Sequence, residues 1–320
     1  MTARRAFLAA VAALGAVRAV AQSPPKVPVV GFLTSGGVDT FAQFRDAMRD
    51  LGYTEGRDLV IVRRSSEGNP QGLPVLAAEL VRMNVDVIYA AGPVAVKAAR
   101  GATSRIPIVA LDLETDPVAA GLVASLGRPG GNVTGLFLDQ PALAGKWLEL
   151  LAEAVPATKR VGVVWDAGTG TAQLAAARAA AQRLRMDARV VEFRTVDGMF
   201  AALRATAEGR VQALAMLTSP LVYSSSKGLA EWVTKTKMPA ISPFRAFADA
   251  GGLMSYGPDL LVFRRFSATY VDRILKGAAP GELPIQQPAR FQFVVNQRAA
   301  KALGVVLPQA LLLRADEVIK

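Results

Sequence analysis

The sequence has no cysteine and no histidine among its 320 residues. Without cysteine there is no disulfide, no thiolate nucleophile or metal ligand, and no thiol to carry a lipid anchor. Without histidine the commonest general base, the usual transition-metal ligand and every Ser-His-Asp arrangement are lost. Long apolar runs are also missing. The first is only about 12 residues, and no later stretch reaches the ~18 uninterrupted apolar residues that a membrane-crossing helix needs. There is no Walker sequence, paired Cys or His cluster, or G-x-S-x-G elbow. Together these absences exclude most hydrolase, metalloenzyme and redox classes, and no cofactor or metal is expected.

Acidic residues are scarce relative to basic ones, 26 against 37, giving a net charge of +11. The Lys and Arg are scattered along the helical patterns, which reads as a solvated surface with no nucleic-acid partner. The first residues read as a leader: Arg4-Arg5, an apolar run over 6–17, then the A-x-A site Ala19-Val20-Ala21 before Gln22. Residues 1–21 are therefore expected to be removed on export to the periplasm by the Sec or the twin-arginine route. Loss of Arg4, Arg5 and Arg18 lowers the charge by three, to +8. No direct membrane insertion is expected of what remains.

Hydrophobic residues make up 52% and charged residues 20%, a globular composition, and the length suggests two domains. Apolar β-rich runs alternate with helical patterns, the signature of βαβ units building parallel sheets covered on both faces. The first series predicts strands over 29–33, 59–63, 85–90 and 106–111, with a further run over 133–138. A second begins at 161–165 and continues through 188–193, 213–217 and 240–242, with strand-like 253–256 and 291–295 following. The predicted fold class is α/β: two Rossmann-like lobes with parallel sheets joined by hinge crossovers. Lobe one is expected over 26–140 with about 257–283, and lobe two over 141–256 with about 284–320.

In open α/β sheets ligands bind beyond the carboxyl ends of the strands, where helix N-termini present free N–H groups. That rule selects Thr34, Ser35, Ala91, Gly92 and Asp112 in the first lobe, and Trp165, Asp166, Thr218 and Ser219 in the second. Thr34 and Ser35 precede Gly36-Gly37, which either lets amides approach an anion or makes a turn. Asp112 either meets an ammonium group or, with Glu114 and Asp116, caps and solvates a loop. Trp165 and Tyr256 offer flat apolar faces to a ligand, or pack in the core and at the hinge. Gly168-Thr169-Gly170, with Glu192 ending the next strand, imitates a dinucleotide fingerprint, but Gln173 stands where the third glycine belongs.

Several longer strings carry a family resemblance. They are Asp116-Pro117-Val118 with Gly121-Leu122-Val123, Ser125-Leu126, and Arg128-Pro129-Gly130-Gly131-Asn132-Val133-Thr134-Gly135. Later come Ala250-Gly251-Gly252-Leu253-Met254-Ser255-Tyr256-Gly257-Pro258, Tyr270-Val271-Asp272-Arg273-Ile274-Leu275-Lys276-Gly277, Ala300-Lys301-Ala302-Leu303-Gly304 and Arg314-Ala315-Asp316-Glu317-Val318-Ile319. In these the chain resembles the ABC-transporter substrate-binding proteins of the tryptophan/tyrosine-type group, with the type I periplasmic-binding fold. It departs at Asp166-Ala167-Gly168, where many relatives carry Asn-Pro, and at Ser219-Pro220, where Asp-Pro is frequent.

The resemblance implies a non-enzymatic protein that closes two lobes on a small polar or amphipathic solute, an amino acid or small carboxylate first. Its implied partners are that solute and the membrane permease of an ABC importer. Two other readings remain: a receptor subunit passing occupancy to a sensor, and a secreted enzyme using Asp112, Asp166 and Tyr256. A transcription repressor of the same fold is disfavoured, because the ~25 residues before the first strand are too few for a helix-turn-helix.

Overall fold

The protein, a computed structural model, is described over residues 26–36, 38–138, 140–208 and 211–320; the expected leader lies outside the described residues. Two sheets carry the fold. The first holds β1 (Val29–Thr34), β2 (Val60–Ser65), β3 (Val87–Ala91), β4 (Ile108–Asp112) and β5 (Val133–Phe137), all parallel, in the order β2-β1-β3-β4-β5. The second holds β6 (Arg160–Asp166), β7 (Asp187–Phe193), β8 (Ala213–Met216), β9 (Ala240–Ser242), β10 (Met254–Pro258), β11 (Phe291–Asn296) and β12 (Glu317–Ile319). Its order is β12-β11-β10-β9-β8-β6-β7, and only the β10–β11 pair is antiparallel.

β3, β4 and β5 are buried at every position, which is why they are near-continuous apolar runs, whereas the edge strand β7 alternates. In each sheet the strand order reverses beside the first strand, between β1 and β3 and between β6 and β8. Crossovers leave these points on opposite faces, so a crevice opens at their carboxyl ends.

The chain passes between the sheets three times. The third crossing follows a detour that shapes the site. After β10, Asp259 caps a helix over Leu260–Leu275, accepting the N–H groups of Leu261 and Val262 at 3.0 and 3.2 Å. That helix packs on the helix Val38–Asp50 and on β3, β4 and β5 of the first sheet. Gln286 then pairs along β5, exchanging bonds with Phe137 at 3.0 Å and Gly135 at 2.9 Å, before β11 returns to the second sheet.

The Gly-rich run before β5 forms a seam for this return. Asn132 Nδ2 donates to the Thr103 and Ile106 carbonyls at 3.2 and 2.9 Å, and Thr134 Oγ1 donates to the Leu283 carbonyl at 2.7 Å. Beside the crevice, Phe32 and Tyr89 stack at 5.2 Å, with Phe44 4.4 Å from Tyr89.

Candidate functional site

A cavity of about 470 Å³ lies between the sheets, within the range of small-molecule sites. The first sheet supplies Phe32, Thr34, Tyr89, Ala91, Gly92, Leu113 and Glu114. Ser219, Pro220, Tyr223 and Phe244 come from the second, and Leu260 and Arg264 from the Leu260–Leu275 helix.

Short turns at the strand ends hold these groups. Thr34 Oγ1 accepts the Gly36 N–H at 3.0 Å. Gly92 sits at φ +94°, open to glycine and unfavourable to L side chains, and starts the helix Pro93–Ala102. Ser219 caps the helix Pro220–Ser224 by accepting the Leu221 N–H at 3.0 Å, and its hydroxyl donates to Asp166 Oδ2 at 2.7 Å. Asp166 and Ser219, the two departures from the family pattern, are thus hydrogen-bonded to each other.

Contacts cross the cavity at several points. The Thr218 hydroxyl lies 3.4 Å from the Leu113 carbonyl. Arg264 Nη1 donates to Tyr223 Oη at 3.0 Å, and its guanidinium stands 4.6 Å from the Tyr223 ring centre.

Three buried carboxyls, Asp112, Glu114 and Asp166, stand at the facing ends of β4 and β6. Burial pushes Asp112 up to about 6, against the opposing pull of hydrogen bonds from Thr115 and the Glu114 N–H. Burial and then the charges of Asp112 and Asp166 push Glu114 well above the ordinary range. Asp166 is raised by burial, with Ser219, the Gly168 N–H and the Arg194 charge acting against it. Asp112 Oδ2 has no hydrogen-bond partner. Among the described residues, no group of three or more carboxylates is arranged to hold a metal ion.

Of the ten residues selected from sequence, Thr34, Ala91, Gly92 and Ser219 line the cavity. The others do not. Ser35 is buried beside Thr34 and gives its carbonyl to Gly68 at 2.7 Å. Asp112 lies two residues behind Glu114, with its Oδ1 taken by the Glu114 and Thr115 N–H groups at 2.9 and 3.0 Å. Asp166 stands behind Ser219, and Thr218 is tied by its N–H to Gln173 Oε1 at 3.0 Å.

The two flat side chains sit elsewhere as well. Trp165 is buried, with Nε1 donating to the Gly170 carbonyl at 2.9 Å. Tyr256 stacks on Phe291 at 5.8 Å. Gln173 Nε2 binds Thr169 Oγ1 at 2.7 Å and the Thr218 carbonyl at 2.9 Å, so the dinucleotide-like loop is knotted to its own side chains.

The strand-end rule missed Phe32, Tyr89, Tyr223, Phe244 and Arg264. Phe32 and Tyr89 are one strand position or more before the carboxyl end, and Arg264 arrives from a distant helix. Glu114 stood in the same short acidic run as Asp112, which was its one signal.

The family model described as "ABC transporter substrate binding protein" matches residues 26–319. A curated relative, the "Tyrosine-binding protein" of Clostridioides difficile, is 27% identical over 268 residues, covering 82% of this chain and 75% of its own. Among solved structures, a conserved domain protein of Vibrio cholerae is 28% identical with a TM-score of 0.82, covering 92% of this chain and 100% of its own. A second, the ABC domain of Streptococcus pneumoniae in complex with L-Trp, has a TM-score of 0.81 at 22% identity over 91% of this chain and 99% of its own, and so shares the fold. Among the described residues, no helix is long and apolar enough to cross a membrane.

Proposed function

The chain belongs to the ABC transporter substrate binding protein family, and from that premise we propose that it is the periplasmic solute-binding component of an importer. It takes a small amphipathic solute, an amino acid or small carboxylate, between its lobes and presents the closed form to a permease. It turns nothing over. The lobes divide at the three crossings: 26–138 with about 259–287, and 140–258 with about 288–320.

The observation that carries this reading is a cavity whose walls come from both sheets, bridged by Arg264–Tyr223 and Thr218–Leu113 contacts that exist only while the lobes are together. A solute bound there stabilises closure by the difference in its contacts with the two states. The aromatic walls Phe32, Tyr89 and Phe244 suit a flat or branched apolar body. Glu114, raised by burial and by two like charges, suits an ammonium group that would relieve both. A relative named for tyrosine and a structural neighbour holding L-Trp are consistent with such a solute.

The test is a thermal-shift panel on protein stripped of solute by unfolding and refolding. Amino acids, small carboxylates, sugars, nucleosides and polyamines are each supplied at ~1 mM. Micromolar affinity adds about 4 kcal/mol at that excess, roughly 8 °C or more. The expected result is a shift with an amino acid or carboxylate recovered unchanged by mass spectrometry. Conversion of the compound would make the protein an enzyme.

A further inference from the structure

Arg264 is 5% exposed, yet it lines the solute cavity. Its Nη1 donates to Gln43 Oε1 on the Val38–Asp50 helix and to Tyr223 Oη across the cleft. Both acceptors are neutral. Its Nε is buried with no hydrogen-bond partner, and the partners of its Nη1 among the described residues are these neutral oxygens, not a carboxylate. A buried guanidinium facing only neutral oxygens and a ring carries a large desolvation cost that an anion would offset. The planar fork leaves a donor edge for a carboxylate while Nη1 is already engaged.

The helix turn that carries Arg264 is fastened to the first sheet. The Ser267 hydroxyl donates to the Arg264 carbonyl at 2.7 Å, and Tyr89 Oη lies 3.0 Å from the same hydroxyl, which fastens this turn of the helix to β3. Tyr223 in turn packs edge-on to Phe244 at 5.2 Å.

We propose that Arg264 is the specificity-determining residue that seats the carboxylate of the solute. This rests on the solute-binding reading above. Because Arg264 also holds Tyr223 of the opposite lobe, an anion on its guanidinium sits at the contact that closes the cleft. The cavity is then bipolar, with Glu114 on one wall and Arg264 on another, and a neutral or purely cationic solute leaves the guanidinium unpaired.

The test uses the full chain and three probes sharing one ring: L-tyrosine, tyramine without the carboxylate, and 3-(4-hydroxyphenyl)propionate without the ammonium. Calorimetry compares wild type, Arg264→Gln and Arg264→Lys, each first checked for a cooperative melting transition. The Arg Nε–H resonance, assigned through Arg264→Lys, is followed by NMR.

Arg264→Gln is expected to weaken the two carboxylates by on the order of 100-fold, to leave tyramine unchanged, and to lose a resonance that moves only with carboxylates. Arg264→Lys recovers part of the affinity. Equal loss for all three probes would make Arg264 a structural residue and overturn the assignment. So would a panel in which only neutral or cationic solutes bind wild type, although the solute-binding reading would stand. If no compound of either panel binds, both fall together.

Discussion

Gly92 and Pro220 meet across the cleft so closely that a Cβ on the glycine would stand 2.7 Å from Pro220 Cγ. One residue follows β3 of the first sheet and the other opens a helix of the second, so their contact is made by closure itself. Nothing larger than hydrogen fits on that side of residue 92 while the lobes are in this arrangement.

Gly92→Ala is therefore expected to hold the lobes apart as well as to strain a backbone at φ +94°. The strain costs roughly 1 kcal/mol of folding stability, read by urea unfolding. The blocked closure costs a further 1–3 kcal/mol of binding, roughly 5- to 150-fold in Kd by calorimetry. Affinity unchanged in a folded variant would mean that this contact is not part of the bound state.

The acid cluster predicts a pH signature for the empty protein. Asp112 is raised in the folded chain to about 6, so the native state holds its proton more tightly than the unfolded chain does. Its favourable contribution is complete below about pH 4, the unfolded value, and is lost as pH rises through about 6. Asp112→Asn keeps an oxygen for the Glu114 and Thr115 N–H groups. It should raise the melting temperature at pH 7.5, by on the order of 2–3 kcal/mol of stability, and change it little at pH 4. A variant less stable than wild type at pH 7.5 would contradict this.

Glu114→Gln carries the matching prediction for the solute. Removing the carboxyl should weaken an ammonium-bearing solute by ~10-fold or more at pH 7.5. In wild type the same affinity should fall as acidification protonates Glu114. Calorimetry over a pH series reads both, and a Kd indifferent to pH and to the substitution would remove Glu114 from the site.

The strand-end candidates separate into two groups that mutagenesis can tell apart. Thr34→Ala and Ser219→Ala alter the cavity wall and should weaken binding. Trp165→Phe and Tyr256→Phe lie off the lining and should leave Kd within about twofold, since surface or core changes away from a ligand act on stability instead. The reverse pattern would move the site toward β10.

Much of this architecture was legible in the chain because β3, β4 and β5 are buried on both faces and are therefore near-continuous apolar runs. The two-lobed plan followed from the same alternation repeated after residue 160. What stayed hidden was short or distant. β12 has three residues, and the helices Pro220–Ser224 and Arg245–Asp249 have five each, too few for a periodic signal.

The site was half legible for a related reason. Gly92 and Ser219 follow strands and could be read from position alone. Arg264 sits mid-helix, in a turn whose pattern reads as an ordinary amphipathic surface, and only the return of that helix to the first sheet brings it to the cavity. Trp165 and Tyr256 were marked by their size, but each finds its partners locally.

The central claim is that the lobes close on solute, and the absence of native cysteine makes it directly measurable. Lys97→Cys and Glu231→Cys place spin labels on exposed positions of the helices Pro93–Ala102 and Ser226–Thr236, one in each lobe. Double electron–electron resonance on solute-free protein should give a long, broad distance distribution. It should shorten and narrow when the solute found by thermal shift is added to saturation. A distribution that does not change while calorimetry shows the site filled would contradict hinge closure as the mechanism.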